Sequence, residues 1–465
     1  VLFTVASCNA PQPSAAPSAT SPRPTQTEAP TEPAPGPTSM PPGEAADLIF
    51  HNGPILTMVQ SAPTADALAV RGEEILAVGD EADVMAWRGE GTQVVDLGGR
   101  TLMPGFVDSH NHIMNYYNSE LYGDTLAERQ RVLLSNGITT HANLHTSEDL
   151  LAALQDFDES GQLVVRMGAF LLYNDSCGTP QGDWYLDHPP TRARGEHLRI
   201  QGVKVFADGA NCGITPAFTV KLAPDTPVPL EPPFVTEDEL TDVMVEAQAL
   251  GDQVAVHTIG DRALDLVQAA FARALDGRPN TYRHRIEHNS VVRPDQIPVY
   301  SEIDAVLTIF ALYPSCNPFG PPIYPEYQAW EWPYNEIIDA NPDLHIAWSG
   351  DAASFSENPL YQLFGFVTSY DVGQDGTPCE PRPYLADRSM PVEEALYRMT
   401  MESAYSLFRE GEVGSLEPGK YADLIVLSDD PTTIDPFAIK DITVRMTMIG
   451  GDMLYCADGI EAVCP

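Results

Sequence analysis

Short apolar runs alternate with helix-like stretches through the middle of the chain. Apolar residues recur every three to four positions in residues 237–250, 263–275 and 392–408, which predicts helices there. Eight β-rich runs occupy the same region, and most are followed by a loop and a helical stretch. Eight strands interleaved with helices over about 300 residues predict a (β/α)₈ barrel. The predicted barrel strands are Thr101–Val107, Ile138–Asn143, Leu163–Leu171, Gln201–Phe206, Gln253–Val256, Arg283–Glu287, Ala305–Phe310 and His345–Trp348.

The flanks of this region carry a different pattern, with short alternating strands and Gly-rich turns. Two strand-rich flanks around a barrel predict one small β-sandwich domain made from both chain ends. We therefore expect an α/β protein in which residues 46–103 and 412–455 form the β-domain, 104–411 the barrel and 456–465 a tail. The predicted flanking strands are Asp47–His51, Ala67–Arg71, Ile75–Val78, Ala422–Leu427 and Ile442–Ile449.

The N-terminal residues resemble the end of a bacterial lipoprotein signal. Residues 1–8 are an apolar run that closes on Val5-Ala6-Ser7-Cys8, and a lipid on Cys8 would anchor the mature chain. Residues 9–43 contain 11 prolines and almost no large apolar side chains. Such a segment cannot bury enough surface to offset its ordering entropy, so residues 9–45 are predicted to be an extended, disordered tether. The alternative for Cys8 is a chance cysteine in a frayed terminus.

Charge excludes some partners. The chain has 465 residues, with 66 acidic and 25 basic side chains, and its net charge is −41. Nucleic-acid binding needs clustered Lys and Arg, and so does binding to anionic lipid through a basic face. We therefore expect a small-molecule substrate, no nucleic acid, and membrane contact only through a lipid on Cys8. The acidity fits an exported protein, lipid-anchored at the cell envelope or secreted, or a salt-adapted one.

Six further cysteines agree with export. An even number in an exported chain predicts disulfides, although a few buried thiols remain the alternative. Cys177 and Cys212 follow neighbouring predicted strands. Cys316 and Cys379 lie on adjacent predicted loops, and Cys456 is eight residues before Cys464. We predict the pairs Cys177–Cys212, Cys316–Cys379 and Cys456–Cys464.

Candidate chemistry lies at the ends of the predicted strands. The first strand leads into His110-Asn111-His112, and alternation along a strand points both imidazoles to the same side. The fifth strand ends before His257, the sixth before His288 and the eighth shortly before Asp351. Residues at the C-terminal strand ends of a barrel converge on one site.

Lys204 is unusual because it interrupts the otherwise apolar fourth strand. Burying an ammonium is costly, and a lysine with a depressed pKa can react with CO₂ to form an anionic carbamate that bridges two cations. Together the four imidazoles, Lys204 and Asp351 predict a centre with one or two Zn²⁺ ions, or another divalent metal.

Each element also has a simpler interpretation. A lone strand-end histidine is more often structural, Asp351 could cap a helix, and Lys204 could extend its amine out of the barrel foot. The conjunction on strands one, four, five, six and eight favours a metal site.

With these motifs the chain resembles the metal-dependent amidohydrolase superfamily. The opening motif of that superfamily is similar to residues 103–112. Its amidohydrolase-3 (YtcJ-like) branch has motifs similar to residues 203–209, 257–261 and 283–288. The segment that leads back into the β-domain of the superfamily resembles residues 414–424. The resemblance covers about residues 46–452. It implies hydrolysis of C–N or similar carbonyl-derived bonds. It also implies roles for single residues: metal ligands at His110, His112, His257 and His288, a carbamylated bridge at Lys204, and a ligand and base at Asp351.

Two features depart from that family pattern. Only 24 residues separate His112 from Gly137, where the branch usually carries a long insertion, and the seventh strand lacks a Gln-Pro pair. Both changes fall in the substrate-facing region, so family substrate preferences are not transferred.

The predicted function is hydrolysis of an amide-like, non-peptide C–N bond, with the metal activating water and Asp351 accepting its proton. Two alternatives stay open: a mononuclear deaminase or an ester/lactone hydrolase on the same barrel, and a non-catalytic ligand-binding lipoprotein. Many loop aromatics suit an apolar or aromatic substrate, although loop packing explains them equally well. They are Tyr116, Tyr117, Tyr173, Trp184, Tyr185, Tyr313, Trp330, Trp332 and Tyr334.

Overall fold

The computed structural model describes residues 45–116, 125–209, 212–311, 315–316, 321–352, 357–373, 375–459 and 464, with the side chain of Tyr116 left out. All of them belong to the compact unit that spans residues 40–465. Cys8, residues 9–44 of the predicted tether, Tyr117 and Tyr313 lie outside the described residues. No described helix has the length and apolar character needed to span a bilayer.

Strands make up the frame of the fold. In chain order they are β1 (Leu48–Leu56), β2 (Thr64–Arg71), β3 (Glu74–Gly79), β4 (Gln93–Asp96), β5 (Thr101–Pro104), β6 (Phe106–Asn111), β7 (Ile138–Thr146), β8 (Arg166–Leu172), β9 (Leu198–Phe206), β10 (Gln253–Thr258), β11 (Arg285–His288), β12 (Val306–Ile309), β13 (Ile346–Trp348), β14 (Asp371–Val372), β15 (Pro378–Cys379), β16 (Leu424–Leu427), β17 (Val444–Ile449) and β18 (Asp452–Cys456).

Helices follow most strands of the middle region. They are α1 (Glu81–Met85), α2 (Leu126–Ser135), α3 (Glu148–Glu159), α4 (Glu237–Leu250), α5 (Asp261–Leu275), α6 (Val299–Glu302), α7 (Tyr334–Ala340), α8 (Pro359–Thr368), α9 (Val392–Tyr397) and α10 (Ser403–Ser406), with a π-helical turn, Arg398–Glu402, between the last two. Short 3₁₀ helices occupy Ile113–Tyr116, Trp184–Asp187, Pro325–Trp330, Pro383–Leu385 and Pro436–Asp441.

The sequence sets helix ends through local chemistry. In α4, the Thr236 side chain accepts from the Glu239 backbone while the Glu239 side chain accepts from the Thr236 backbone, which satisfies two amides that have no partner within the helix. The same helix ends at Gly251, whose φ of 85° is left-handed and is favourable for glycine. This helix matches its predicted bounds, and α5 begins two residues before its predicted start.

The predicted barrel is confirmed. Strands β6 to β13 form one eight-stranded sheet in which every pairing is parallel and each strand lies beside the next along the chain. Hydrogen bonds between the ends of β6 and β13 bring the first and last strands together: Asp351 N donates to His110 O over 2.8 Å, and His112 N donates to Ala352 O over 2.8 Å. The carboxyl ends of all eight strands therefore share one face of the barrel.

The second sheet takes its strands from both chain ends, as predicted. Its order is β18-β17-β16-β5-β1-β2-β3, and β4 pairs with β1. Leu102 on β5 lies opposite Val426 on β16, and both are fully buried in the core of this domain. The predicted domain boundaries, 46–103, 104–411 and 412–455, stay predictions.

One predicted strand was wrong in its extent. Thr101–Val107 is not a single barrel strand, because β5 belongs to the β-domain and only β6 enters the barrel. Gly105 separates the two, and a Cβ there would come within 2.2 Å of the Thr139 side chain. The other barrel strands differ from their predicted bounds by a few residues.

The three predicted disulfides are confirmed. Cys177–Cys212, Cys316–Cys379 and Cys456–Cys464 have Cα separations of 5.6, 5.2 and 6.1 Å. The first pair ties the loop after β8 to the loop after β9, so it braces the face of the barrel where the strands end.

Candidate metal centre and substrate cavity

Three of the predicted ligands meet directly at the carboxyl ends of β6 and β13. One ligand atom from each of His110, His112 and Asp351 lies within 4.8 Å of the others. The Nε2 atoms of His110 and His112 are 3.3 Å apart, and Asp351 Oδ1 is 3.2 Å from His112 Nε2. Two imidazoles and a carboxylate at these distances can share one divalent ion.

The other predicted ligands continue this cluster across the barrel. The ring of His288 lies 4.7 Å from that of His110 and 4.6 Å from that of His257, measured between centroids. Lys204 is fully buried, with its Nζ 4.6 Å from the centre of the Phe206 ring. The structure therefore brings all six predicted site residues to one face of the barrel, while their individual roles stay predictions.

Three buried polar atoms of the centre have no hydrogen-bond partner within the described part of the chain. Lys204 Nζ, His257 Nε2 and His288 Nδ1 are each buried and make no hydrogen bond to any described residue. Leaving a buried polar atom unsatisfied costs roughly 1–3 kcal/mol, so native proteins rarely keep several together without a ligand. A metal centre would satisfy them, since imidazole and carboxylate suit Zn²⁺.

The electrostatics of the cluster are equally unusual. Burial is the main cause that lowers the pKa values of His110, His257 and His288 well below their ordinary range, and repulsion from the Lys204 amine lowers all three further. Burial also lowers the pKa of Lys204 to about 8, although Glu287 and Asp351 oppose that shift. The imidazoles are therefore neutral at pH 7, the state in which they bind metal.

Two site residues have left-handed backbone. His288 has φ 73° and Asp351 has φ 44°, in a region that non-glycine residues rarely adopt. Such strain persists only where the surrounding structure holds it, and it is concentrated at functional sites. The left-handed backbone at His288 ends the alternation of side chains along β11, directly after the buried Glu287.

Glu287 and Arg285 on β11 support the cluster, and neither was predicted from the sequence to be a site residue. His110 Nδ1 is 2.6 Å from Glu287 Oε2, and Arg285 donates to both oxygens of Glu287 over 2.8 and 2.9 Å. All three side chains are buried. Such a carboxylate fixes the orientation and tautomer of a ligand histidine. The available signal was the pair of charges at alternate positions of an otherwise buried strand.

Asp108 holds the end of β13 against β6. Its carboxylate accepts from the backbone amides of His110 and Gly350 over 3.1 and 2.9 Å. Burial raises its pKa to about 7. A Cβ on Gly350 would come within 2.3 Å of the Asp108 carboxylate, so this approach requires glycine.

The cluster opens into a cavity of about 1020 Å³. Its walls are predominantly apolar, and Arg382 is the one lysine or arginine among its described lining residues. Of the predicted loop aromatics with described side chains, Trp332 lines this cavity, and Tyr173, Trp184, Tyr185, Trp330 and Tyr334 do not. The apolar lining residues include Phe206, Ile214, Phe218, Leu222, Val291, Phe310, Ile323 and Leu385.

His145 is a further polar residue of the cavity, and it was not predicted from the sequence. It lies near the end of β7, its ring centroid 6.2 Å from that of His112 and 6.0 Å from that of Phe206. Burial lowers its pKa to about 4, and repulsion from His112 adds to the shift. No metal-ligand spacing in the sequence pointed to this position.

Comparison with known proteins agrees with this geometry. Residues 93–129 and 118–455 match the model of a family described as an amidohydrolase family, Amidohydro_3. Protein LONG AFTER FAR-RED 3 of Arabidopsis thaliana is 22% identical over 89% of this chain and 92% of its own length. N-substituted formamide deformylase of Arthrobacter pascens is 25% identical, over 48% of this chain and 40% of its own length.

A solved structure shows the same fold. An uncharacterized metal-dependent hydrolase from Pyrococcus horikoshii superposes with a TM-score of 0.68 at 19% identity, covering 84% of this chain and 99% of that one.

Proposed function

Because this chain belongs to the amidohydrolase family, we propose that it hydrolyses an amide-like, non-peptide C–N bond in a small, largely apolar substrate, at a centre of two zinc ions. The observation that carries the proposal is the set of buried, unsatisfied donor atoms on Lys204, His257 and His288 beside the His110–His112–Asp351 cluster. A ligand-binding protein has no need for a base at this position.

The residues present would fit a binuclear centre in which a carbamate on Lys204 serves both ions. His110, His112 and Asp351 form one group, His257 and His288 the other, and the Lys204 amine acts electrostatically on histidines of both. The neutral amine attacks CO₂, a new N–C bond forms and one proton is released, which leaves an anionic carbamate. That anion would offset the cationic charge of two ions.

Zinc ions held by these residues would supply Lewis acidity, which would lower the pKa of water and polarise a carbonyl oxygen. Asp351 lines the cavity and is held by the hydrogen bond from its backbone amide to His110 O. Its carboxylate accepts the proton of the attacking water and then transfers it to the leaving nitrogen. Glu287 keeps His110 oriented during this transfer.

The cavity favours an uncharged or singly anionic substrate with an apolar body. Its apolar walls suit an aliphatic or aromatic group, and its acidic lining residues Asp225, Glu331 and Glu380 disfavour several negative charges on a ligand. The formamide deformylase relative makes N-substituted formamides a reasonable first class to test.

We also propose that the protein is exported and anchored through a lipid on Cys8. Three disulfides support an oxidising compartment, where such bonds persist. Mass spectrometry of the membrane-associated protein would detect diacylglyceryl-Cys8, and a soluble mature protein without lipid would contradict the anchor.

Metal analysis joined to a substrate screen tests the enzymatic proposal. Purified protein is expected to hold about two metal ions per chain, and to hydrolyse members of a panel of formamides, N-acyl amino acids, ureas and aryl esters. Lys204→Ala is expected to lose one metal and most activity. One metal per chain with full activity in Lys204→Ala would favour the mononuclear deaminase or esterase, and metal-loaded protein with no hydrolysis would contradict the proposal.

A further inference from the structure

His145 faces the substrate cavity beside the metal cluster, but the strands and motifs that make up that cluster do not include it. It lies near the end of β7, on the second strand of the barrel. Its ring packs between those of His112 and Phe206, with centroid separations of 6.2 and 6.0 Å. Both neighbours also line the cavity, so His145 borders the space in which a substrate would meet the metal ligands.

A neighbouring amide fixes the tautomer of His145. Asn115 Nδ2 is 2.6 Å from the backbone oxygen of His145 and 2.9 Å from its Nδ1. The carbonyl oxygen requires a donor, so the amide nitrogen of Asn115 must face it. The same nitrogen has only hydrogens to offer to Nδ1, which therefore accepts. The imidazole proton is then on Nε2.

The Nε2–H group is available to a ligand. It makes no hydrogen bond to a described residue, while the side chain lines the cavity. A neutral Nε2–H donor suits a position beside the proposed metal ligands. It can stabilise a developing negative charge without adding another cation to the site.

From this geometry we propose that His145 is a further catalytic residue, whose Nε2–H donates a hydrogen bond to the scissile carbonyl oxygen as that oxygen becomes an oxyanion. The inference rests on the proposed hydrolysis. Asn115 is the matching positioning residue, because it holds the ring in the donor tautomer.

The tautomer can be measured without a substrate. Protein labelled with ¹⁵N-histidine and freed of metal should give the NMR signature of an Nε2–H imidazole at His145, assigned by comparison with His145→Gln. Asn115→Asp places a carboxylate against Nδ1, and is expected to move the proton to Nδ1. An Nδ1–H tautomer in the wild-type protein would overturn the proposal.

Kinetics test the catalytic role on the best substrate of the panel. His145→Phe keeps a ring of similar size and is expected to lower kcat by about 10²–10³-fold, with little change in KM or metal content. His145→Gln, which retains an N–H donor, should recover much of the loss. His188→Phe is the matched control, since His188 packs on Trp184 outside the cavity and its loss should leave kcat unchanged.

Different outcomes would overturn the role of His145 and the proposed function. If the wild type is active and His145→Phe leaves kcat unchanged, whether or not KM changes, the role of His145 is overturned and the proposed function stays intact. Metal-loaded wild type that hydrolyses none of the compounds overturns the proposed function and this role with it.

Discussion

The two ends of the barrel each bury a cluster of charged side chains, and the clusters are organised in opposite ways. At the foot, Arg166 donates to both oxygens of Asp423 over 2.7 and 3.0 Å, and Glu412 accepts from Arg199 over 2.5 Å and from Arg409 over 3.1 Å. At the mouth, buried Lys204 and the surrounding imidazoles repel one another and leave several atoms without partners.

The difference separates structure from function. Arg166, Arg199 and Arg409 each form an ion pair with a carboxylate at the foot, although Arg199 Nε has no hydrogen-bond partner among the described residues. The ion pair with Asp423 joins the barrel to the β-domain without any ligand. The mouth is complete only when something else binds. Buried charge alone therefore does not mark a functional site, whereas buried charges that repel one another beside a cavity favour one.

The largest expected effect is at Asp351. Asp351→Asn removes the proton acceptor and is expected to lower kcat by about 10²–10⁴-fold, while most of the metal is retained by the histidines. Steady-state kinetics with metal analysis measures it. Near-normal turnover in this variant would rule out Asp351 as the base.

Asp423→Asn makes the matching change at the foot. It leaves the buried Arg166 guanidinium without its ion-pair partner and is expected to lower the free energy of unfolding by about 3–5 kcal/mol. Denaturant unfolding of the folded variant checks this, with Asp351→Asn as the control. The comparison fails if the foot variant unfolds like the wild type.

Replacing Lys204 should raise the free energy of unfolding of metal-free protein without CO₂, whereas Asp423→Asn should lower it. The pKa of Lys204 is lowered from 10.5 to about 8 on folding, so between these values the unfolded chain binds more protons and stability rises with pH. Below about pH 8 the penalty is fully present, and Lys204→Met should be more stable than the wild type by about 3 kcal/mol. Unfolding measured from pH 7 to 10.5 should show the difference shrinking as pH rises; a constant difference would contradict the assigned cause.

The smallest expected effect on activity is at the disulfides. Ser176 and residues 213–216 line the cavity next to the Cys177–Cys212 disulfide, which holds them in place. Replacing both cysteines by serine should therefore raise KM by roughly tenfold at most. The same replacement of Cys456 and Cys464 should leave KM unchanged, because that pair closes the tail next to β18. Equal effects of the two changes would show that the rim disulfide has no special relation to the cavity.

Much of this site could be predicted because its ligands come directly at strand ends, where periodicity and spacing are local. His145 could not, because β7 has an irregular register between Asn143 and Thr146, and simple alternation does not say which way its side chain points. Arg285 and Glu287 escaped notice because charges that alternate along a strand are usually on a solvated face. The split at Gly105 was missed because β5 and β6 form one apolar run, and only their different sheets separate them.

The sheet built from both chain ends also constrains how the protein is made. Leu102 pairs with Val426, so β5 leaves the ribosome more than three hundred residues before its partner β16. At about 5–20 residues per second, that edge stays unpaired for on the order of 15–65 s. An open strand edge is a template for association with other chains. A chain truncated before Leu424 would therefore leave that edge unpaired and open to association.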